Sequence, residues 1–288
     1  TVTAEVIDTG TGEVAWFEQP TPGAPNGAGL QGFVAAPTVS PERGWIDGPT
    51  MVTIATATAG AELVYTLDGT PPSADNGVSV GASQVELELS STSLLRAVAM
   101  RSEWGQSPVV THTFLDLEGV LAQPAAPVDV PVTWNGLSQN PIAGDYEMDP
   151  DVVEAPQYEA DLRAGMREIP VLSLVMTPED LWGEEAGIYI HSTQRGEEWE
   201  RPASVEIIEP DGSSFQGDCG VRVHGYGWRP HSNTRKHSLR LEFRSEYGEG
   251  KMVYPLFPEA PVDRFDSIVL RSQGSRSWQD FRDPEQAQ

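Results

Sequence analysis

The chain of 288 residues has one cysteine, Cys219, so it cannot form an intrachain disulfide or a zinc site built from several cysteines. Lysine is nearly missing. Only Lys236 and Lys251 occur, and arginine supplies every other cation. No stretch approaches the roughly 18 apolar residues that a membrane-spanning helix needs, so no membrane span is expected. Thr1 is not followed by a charged and then apolar leader, and no initiator Met precedes it. The chain therefore reads as a mature form or an excised piece. Cations as a class are scarce. Lys and Arg total 18 against 43 Asp and Glu, a formal net charge of −25. Such a balance repels phosphate backbones and anionic lipid, which argues against nonspecific nucleic-acid or membrane partners. It suits a soluble extracellular or high-salt setting.

What is present in abundance is Gly (28) and Pro (24), which favours many turns and a β-rich chain. The length exceeds one small core and suggests two domains or more. Charge is unevenly shared. Residues 1–159 hold 3 cations and 21 acids, whereas residues 160–288 hold 15 and 22, so the halves read as different kinds of module.

Residues 1–36 read as the end of one module and a linker, with "VTAEVID" alternating like a strand before the Pro- and Gly-rich "EQPTPGAPNGAG". Residues 37–116 carry the short runs "MVTIATA", "AELVYTL", "QVELELS", "LLRAVAM" and "VVTHTFL", separated by turn signals, and predict a β-sandwich. In the turn "DGTPPSADNG", Asp68 and Asp75 are either solvated turn acids or ligands for calcium or sugar. Residues 117–158 form a proline-rich linker, in which "EMDPDVV" predicts a short helix capped by Asp149 with Pro150 in its first turn. Residues 159–288 read as α+β. "EADLRAGM" predicts a helix, as does "TPEDLWG" with Thr177 as its cap. "IPVLSLVM", "AGIYIH", "ASVEIIE", "CGVRVHG", "HSLRLEF" and "FDSIVLRS" predict strands. "SWQDFRDPEQAQ" predicts a final helix.

Against the acidic background, "GVRVHGYGWRPHSNTRKHSLRLEF" and the residue after it gather Arg222, Arg229, Arg235, Lys236, Arg240 and Arg244, with Glu242 as the one acid. Alternation places Val221 and Val223 on one strand face and Arg222 and His224 on the other. After the turn, Leu239, Leu241 and Phe243 share the apolar face, and Lys236, Ser238, Arg240 and Glu242 the polar one. Gly225 and Gly227 permit positive φ and close backbone approach. Two readings follow. The stretch is a solvated edge hairpin, or its amides and cations make a phosphate cradle. It is not a Walker A sequence. A zinc site from Cys219, His224, His231 and His237 fits no common ligand spacing.

Three family resemblances bear on these readings. "FEQPTPGAPN" resembles the close of a bacterial lamin-tail domain. "VYTLDGTPPSADNG" followed by "LRAVAM" resembles the C-terminal domain of chitobiase and β-hexosaminidase. The blocks "GIY", "WERPASVEI", "DG", "GVRVHG", "KHSLRLEFRSEYG" and "YPLF", over about residues 169–278, resemble the N-terminal part of the spore coat protein H (CotH) kinase family. The last resemblance implies an atypical protein-kinase-like fold that binds ATP with Mg2+ or Mn2+ and phosphorylates protein hydroxyls. Lys236 falls at the family's lysine and would contact ATP phosphates, with Arg222, Gly225, Gly227 and Arg240 around it. "GYGWRP" departs from the serine and arginine that often follow the glycines. The family's metal-binding and catalytic acids lie beyond residue 288, so no catalytic residue and no metal ligand is assigned here. The expected fold is mainly β with α+β: an immunoglobulin/fibronectin-like β-sandwich followed by a truncated atypical-kinase N-lobe. The expected partners are a protein substrate of the intact protein and cell-surface polysaccharide. The expected location is secreted or at the cell surface. The alternative function is a non-catalytic scaffold that binds a cell surface or polysaccharide.

Overall fold

A computed structural model describes residues 4–7, 14–17, 29–128, 130–134, 142–144, 146–231, 236–257 and 259–272. The chain divides into two units, Thr1–Gly119 and Val120–Gln288. No helix among the described residues is long and apolar enough to cross a membrane.

The first unit begins with the antiparallel pair β1 (Ala4–Ile7) and β2 (Val14–Phe17). Its main body has eight further strands: β3 (Thr38–Ser40), β4 (Gly44–Ile46), β5 (Thr50–Ala55), β6 (Glu62–Thr66), β7 (Val78–Ser79), β8 (Gln84–Leu89), β9 (Ser93–Met100) and β10 (Val110–Asp116). They form a three-stranded sheet in the order β3-β5-β8 and a five-stranded sheet in the order β4-β10-β9-β6-β7. Period-2 alternation explains the layering. In β5, Val52 and Ile54 are buried while Met51 is exposed; in β8, Gln84, Glu86 and Glu88 are exposed. The inner faces of both sheets share one core that includes Ile54, Leu63, Leu95 and Phe114, each fully buried. Each such side chain contributes about 1.5–3 kcal/mol by leaving water. A β-sandwich results, as the alternation predicts.

The tail of the expected 1–36 linker is pinned to this sandwich. Gln31 N donates to Glu103 O (3.0 Å), Gly105 N to Gly32 O (2.9 Å) and Val34 N to Gly105 O (2.9 Å). Gly105 is required there, because a Cβ would sit 2.4 Å from the Phe33 ring. The residues that carry the lamin-tail resemblance lie largely outside the described residues, as does the expected final helix.

A short helix, α1 (Leu117–Leu121), follows β10. In the second unit, α2 (Pro150–Val153) starts at Asp149, whose Oδ1 accepts from Asp151 N at 3.0 Å. Next come α3 (Glu159–Glu168), β11 (Val171–Val175) and α4 (Pro178–Trp182). Thr177 caps α4: its Oγ1 accepts from Asp180 N (3.1 Å) and donates to Asp180 Oδ2 (2.7 Å). Then follow β12 (Arg201–Ile208), β13 (Ser214–His224), β14 (Ser238–Glu242), β15 (Met252–Val253), β16 (Arg264–Phe265) and β17 (Ser267–Leu270). Strands β11-β12-β13-β14-β17 make a five-stranded sheet with every pairing antiparallel. One face carries Ala203, Val205, Cys219, Val221 and Leu241 into a core with Ile188 and Met252.

Two expectations change. "AGIYIH" is a series of turns rather than a strand. Two of its backbone donors go to α4, Ile188 N to Asp180 O (2.9 Å) and Tyr189 N to Leu181 O (3.0 Å). Ile188 still reaches the core, at 2% exposure, so the apolar alternation was a packing signal without a neighbouring strand. Strand β14 also starts at Ser238, so Lys236 precedes it rather than continuing its alternation.

Candidate functional site

Strands β13 and β14 pair with Arg222 directly opposite Arg240. Like charges in that position destabilise a sheet unless something compensates. Glu242 does so. Its Oε1 lies 2.5 Å from Arg222 Nη2 and 2.8 Å from Arg240 Nε. Arg240 Nη2 also donates to Ser267 Oγ on β17 at 3.1 Å. Arg222 Nε lies 3.8 Å from Glu200 Oε2, Glu200 Oε1 lies 3.1 Å from Arg244 Nε, and Arg244 Nη1 donates to Glu197 Oε1 at 2.6 Å. Arg240, Glu242, Arg222, Glu200, Arg244 and Glu197 thus form an alternating ladder of charge. The cluster of cations in sequence is therefore matched, for three of its arginines, by acids that include two from a distant segment.

Glu200 is the buried rung, its side chain wholly covered. Burial pushes its pKa up, opposed by Arg244 and Arg222. Strand β13 leaves room for it at Gly220, where a Cβ would stand 2.4 Å from Glu200 Oε1.

The other end of the polar face is different. Burial lowers the pKa of His224, and Arg240, Arg229, Arg222 and Arg271 lower it further, which records a positive field at that imidazole. Beside it the chain enters the connection to β14. Gly225 has φ +114, in the region that favours glycine, and neither Gly225 nor Gly227 has any atom within 4 Å of where a Cβ would be. Both glycines are exposed, as is Lys236. Tyr226, 80% exposed, has the Arg195 guanidinium 4.8 Å from its ring centroid.

The root of this connection is buried. Arg229 donates from Nε to Gly225 O (2.6 Å) and from Nη1 to Gln194 O (2.5 Å) and Ser192 O (3.3 Å). His231 Nε2 bonds Tyr189 O (2.8 Å), and His237 Nε2 bonds His231 Nδ1 (3.0 Å). The carbonyl makes His231 Nε2 a donor, so its Nδ1 accepts from His237. Burial, first, and then His231 push the His237 pKa down to about 4.

The sequence-selected residues therefore divide. Arg222 and Arg240 meet on one face and are tied to Glu242, whereas Gly225, Gly227 and Lys236 are exposed at the connection. Cys219 faces the apolar core on the opposite side of the sheet, its thiol pushed up to about 12 by burial. It does not join His231 and His237, and no group of three or more His, Cys, Asp or Glu is placed to hold a metal ion among the described residues. Asp68 closes its own turn: Oδ1 accepts from Thr70 N (2.9 Å) and Thr70 Oγ1 (2.6 Å), which holds its carboxyl below the ordinary range. Sequence reading missed Glu197, Glu200, Ser192 and the anchoring role of Arg229. Nothing local marks them, because each acts on a partner at least 20 residues away except where Arg229 reaches Gly225.

No curated protein matches this chain. Among solved structures, a superoxide reductase (neelaredoxin) from Ignicoccus hospitalis is similar over 29% of this chain and 81% of its own, at 18% identity. The TM-score is 0.20, too low to relate the folds. Residues 41–111, spanning β4 to the start of β10, match the family model of the chitobiase/beta-hexosaminidase C-terminal domain.

Proposed function

We propose that the second unit carries the ATP-binding half of an atypical protein-kinase-like domain of the CotH type. The observation that carries the reading is the β13–β14 connection. Gly225, at positive φ, Gly227 and Lys236 stand exposed in one connection, with room for a ligand at both glycines and with arginines around the neighbouring His224. Glycines that let a ligand approach the backbone, beside a point-charge ammonium, suit the oxygens of a polyphosphate. The five-stranded antiparallel sheet and the sequence blocks over about 169–278 support the same reading. Lys236, Gly225 and Gly227 are the direct contacts. Arg222 and Arg240 are held by Glu242 and act through the field unless the ligand draws them away.

In the intact protein this half would serve phosphoryl transfer from ATP to protein Ser or Thr, and Mg2+ or Mn2+, when bound, would supply charge neutralisation for the phosphates. The described residues fit the phosphates but not the metal: they hold no acidic cluster for it, and Glu200 and Glu242 are already bound to arginines. No transfer step is therefore assigned to them. ATP titration of the 288-residue chain at low salt tests the reading. Amide shifts should centre on residues 222–240, with affinity near millimolar, about −4 kcal/mol, and fade as salt rises. Lys236→Ala should remove most of the response. Shifts centred on the first unit, or a response indifferent to Lys236→Ala, would refute it.

A second reading rests on the family-model match over residues 41–111. In it the sandwich attaches a secreted or surface protein to polysaccharide, and the second unit is an inert scaffold. Retention of the chain on insoluble polysaccharide, with no ATP response, would favour this alternative.

A further inference from the structure

The β13–β14 connection is open at its tip and closed at its root. Tyr226 is 80% exposed, yet Arg229, three residues on, is 8% exposed. Burying a guanidinium is costly unless its donors are bonded. Here they go to backbone carbonyls of two separate segments, Gly225 on one side and Ser192 and Gln194 on the other. Ser192 Oγ returns a bond to Arg229 O at 2.6 Å. None of these partners is an acid, so the bonds fix geometry without cancelling the positive charge. The bond to Gly225 O fixes the peptide plane that follows Gly225, at the residue whose φ is +114. A planar fork can serve carbonyls from two directions at once, which a lysine ammonium on a flexible stem does less well.

We propose that Arg229 is a positioning residue: it pre-sets the Gly225–Gly227 turn so that its amides receive a polyphosphate without first being ordered. The proposal rests on the nucleotide reading above and assigns Arg229 no contact with the ligand. Pre-ordering raises affinity by removing the entropy loss on binding.

The test compares the 288-residue chain with Arg229→Gln, Arg229→Lys and Ser192→Ala by amide hydrogen exchange and ATP titration. In Arg229→Gln, exchange at Gly225, Tyr226 and Gly227 should quicken by about tenfold while Val221 and Leu241 in the sheet keep their protection. ATP affinity should fall by about threefold to tenfold in the same folded sample. Arg229→Lys should be intermediate in both. Ser192→Ala, which removes one bond and no charge, should shift the exchange in the same direction by less, and it decides the matter if Arg229→Gln fails to fold. Unchanged exchange at 225–227, or lost affinity with unchanged exchange, overturns the proposal. If ATP leaves the wild-type chain unmoved, the nucleotide reading fails, and with it the ligand role of Arg229.

Discussion

The two units surround their buried ionisable groups differently. In the sandwich, His112 on β10 is 5% exposed, its Nδ1 makes no hydrogen bond among the described residues, and Glu42 Oε2 lies 3.6 Å from it. In the second unit, buried Glu200 sits between two arginines, and His237 bonds His231. Two sheets that cover each other make a core from their own alternation, and buried polar groups there bond to backbone close in sequence, as Ser107 does to Ala99 N and Pro108 O. A sheet with one apolar core face must engage its other face with side chains from turns and distant segments. The comparison suggests where each unit is vulnerable: the sandwich to charging a buried group, the second unit to removing one partner of a network.

Acid should produce the largest difference. Burial, first, and the nearby Arg43 hold the His112 pKa down to about 3, against 6.5 for an exposed histidine. Between those values the unfolded chain binds a proton that the folded sandwich does not. Stability from this group is therefore full above about pH 6.5 and declines as pH falls toward 3. The loss at pH 4 is on the order of 2–3 kcal/mol. Exposed Glu42 offsets little of it. Urea unfolding of the sandwich at pH 7 and pH 4, in wild type and His112→Gln, measures the effect. The variant should lose most of this pH dependence. His237 titrates with the same sign, from 6.5 down to about 4, and burial lowers His224 and His231 too, so the second unit's response is shared among three imidazoles and no single substitution should remove it. Loss of the second unit's pH dependence in His237→Gln alone would erase the contrast.

Breaking the ladder should have a smaller effect. Glu200→Ala leaves Arg222 and Arg244 without their buried acid. Those arginine side chains are 23% and 35% exposed, so water recovers part of the loss. We expect about 1–2 kcal/mol, below the range for a fully buried pair. Glu200→Gln should cost less, because burial already disfavours the charged form. Chemical denaturation followed by amide signals of β13 and β14 distinguishes the two variants. A larger loss for Gln than for Ala would mean that the charge, not the filled space, holds the site together.

How much of this was legible depends on distance along the chain. The main strands of the sandwich were readable because "MVTIATA", "AELVYTL", "QVELELS" and "LLRAVAM" announce their inner faces locally. The opposition of Arg222 and Arg240 to the apolar Leu239 and Leu241 was readable for the same reason. "AGIYIH" misled because alternation reports which side chains are buried, not where the backbone donors go. The site was only half visible. Gly225, Gly227 and Lys236 stand out in sequence, but one of the two glutamates that occupy Arg222, Glu200, comes from 22 residues upstream, and no spacing rule links "EEWER" to "GVRVHG". Arg229 looked like one more member of a basic cluster, since its carbonyl partners at 192 and 194 have no signature of their own.

The two helix caps give the smallest and most local test, since both were readable in sequence yet differ in what they support. Thr177 and Asp149 each accept a backbone N–H, at 3.1 and 3.0 Å. Replacing such a cap by Ala costs roughly 0.5–2 kcal/mol. Thr177→Ala should fall near about 1 kcal/mol. Its helix offers Asp180 O and Leu181 O to Ile188 and Tyr189, so a loosened first turn is felt at a core residue. Asp149→Ala should stay at or below about 0.5 kcal/mol, because no α2 residue packs against the core, whereas Leu181 of α4 does. Exchange rates separate the cases: Thr177→Ala should speed the Ile188 and Tyr189 amides, whereas Asp149→Ala should affect only residues 151–154. Equal effects would show that a cap's worth is set by its own hydrogen bond rather than by the packing that the capped helix carries.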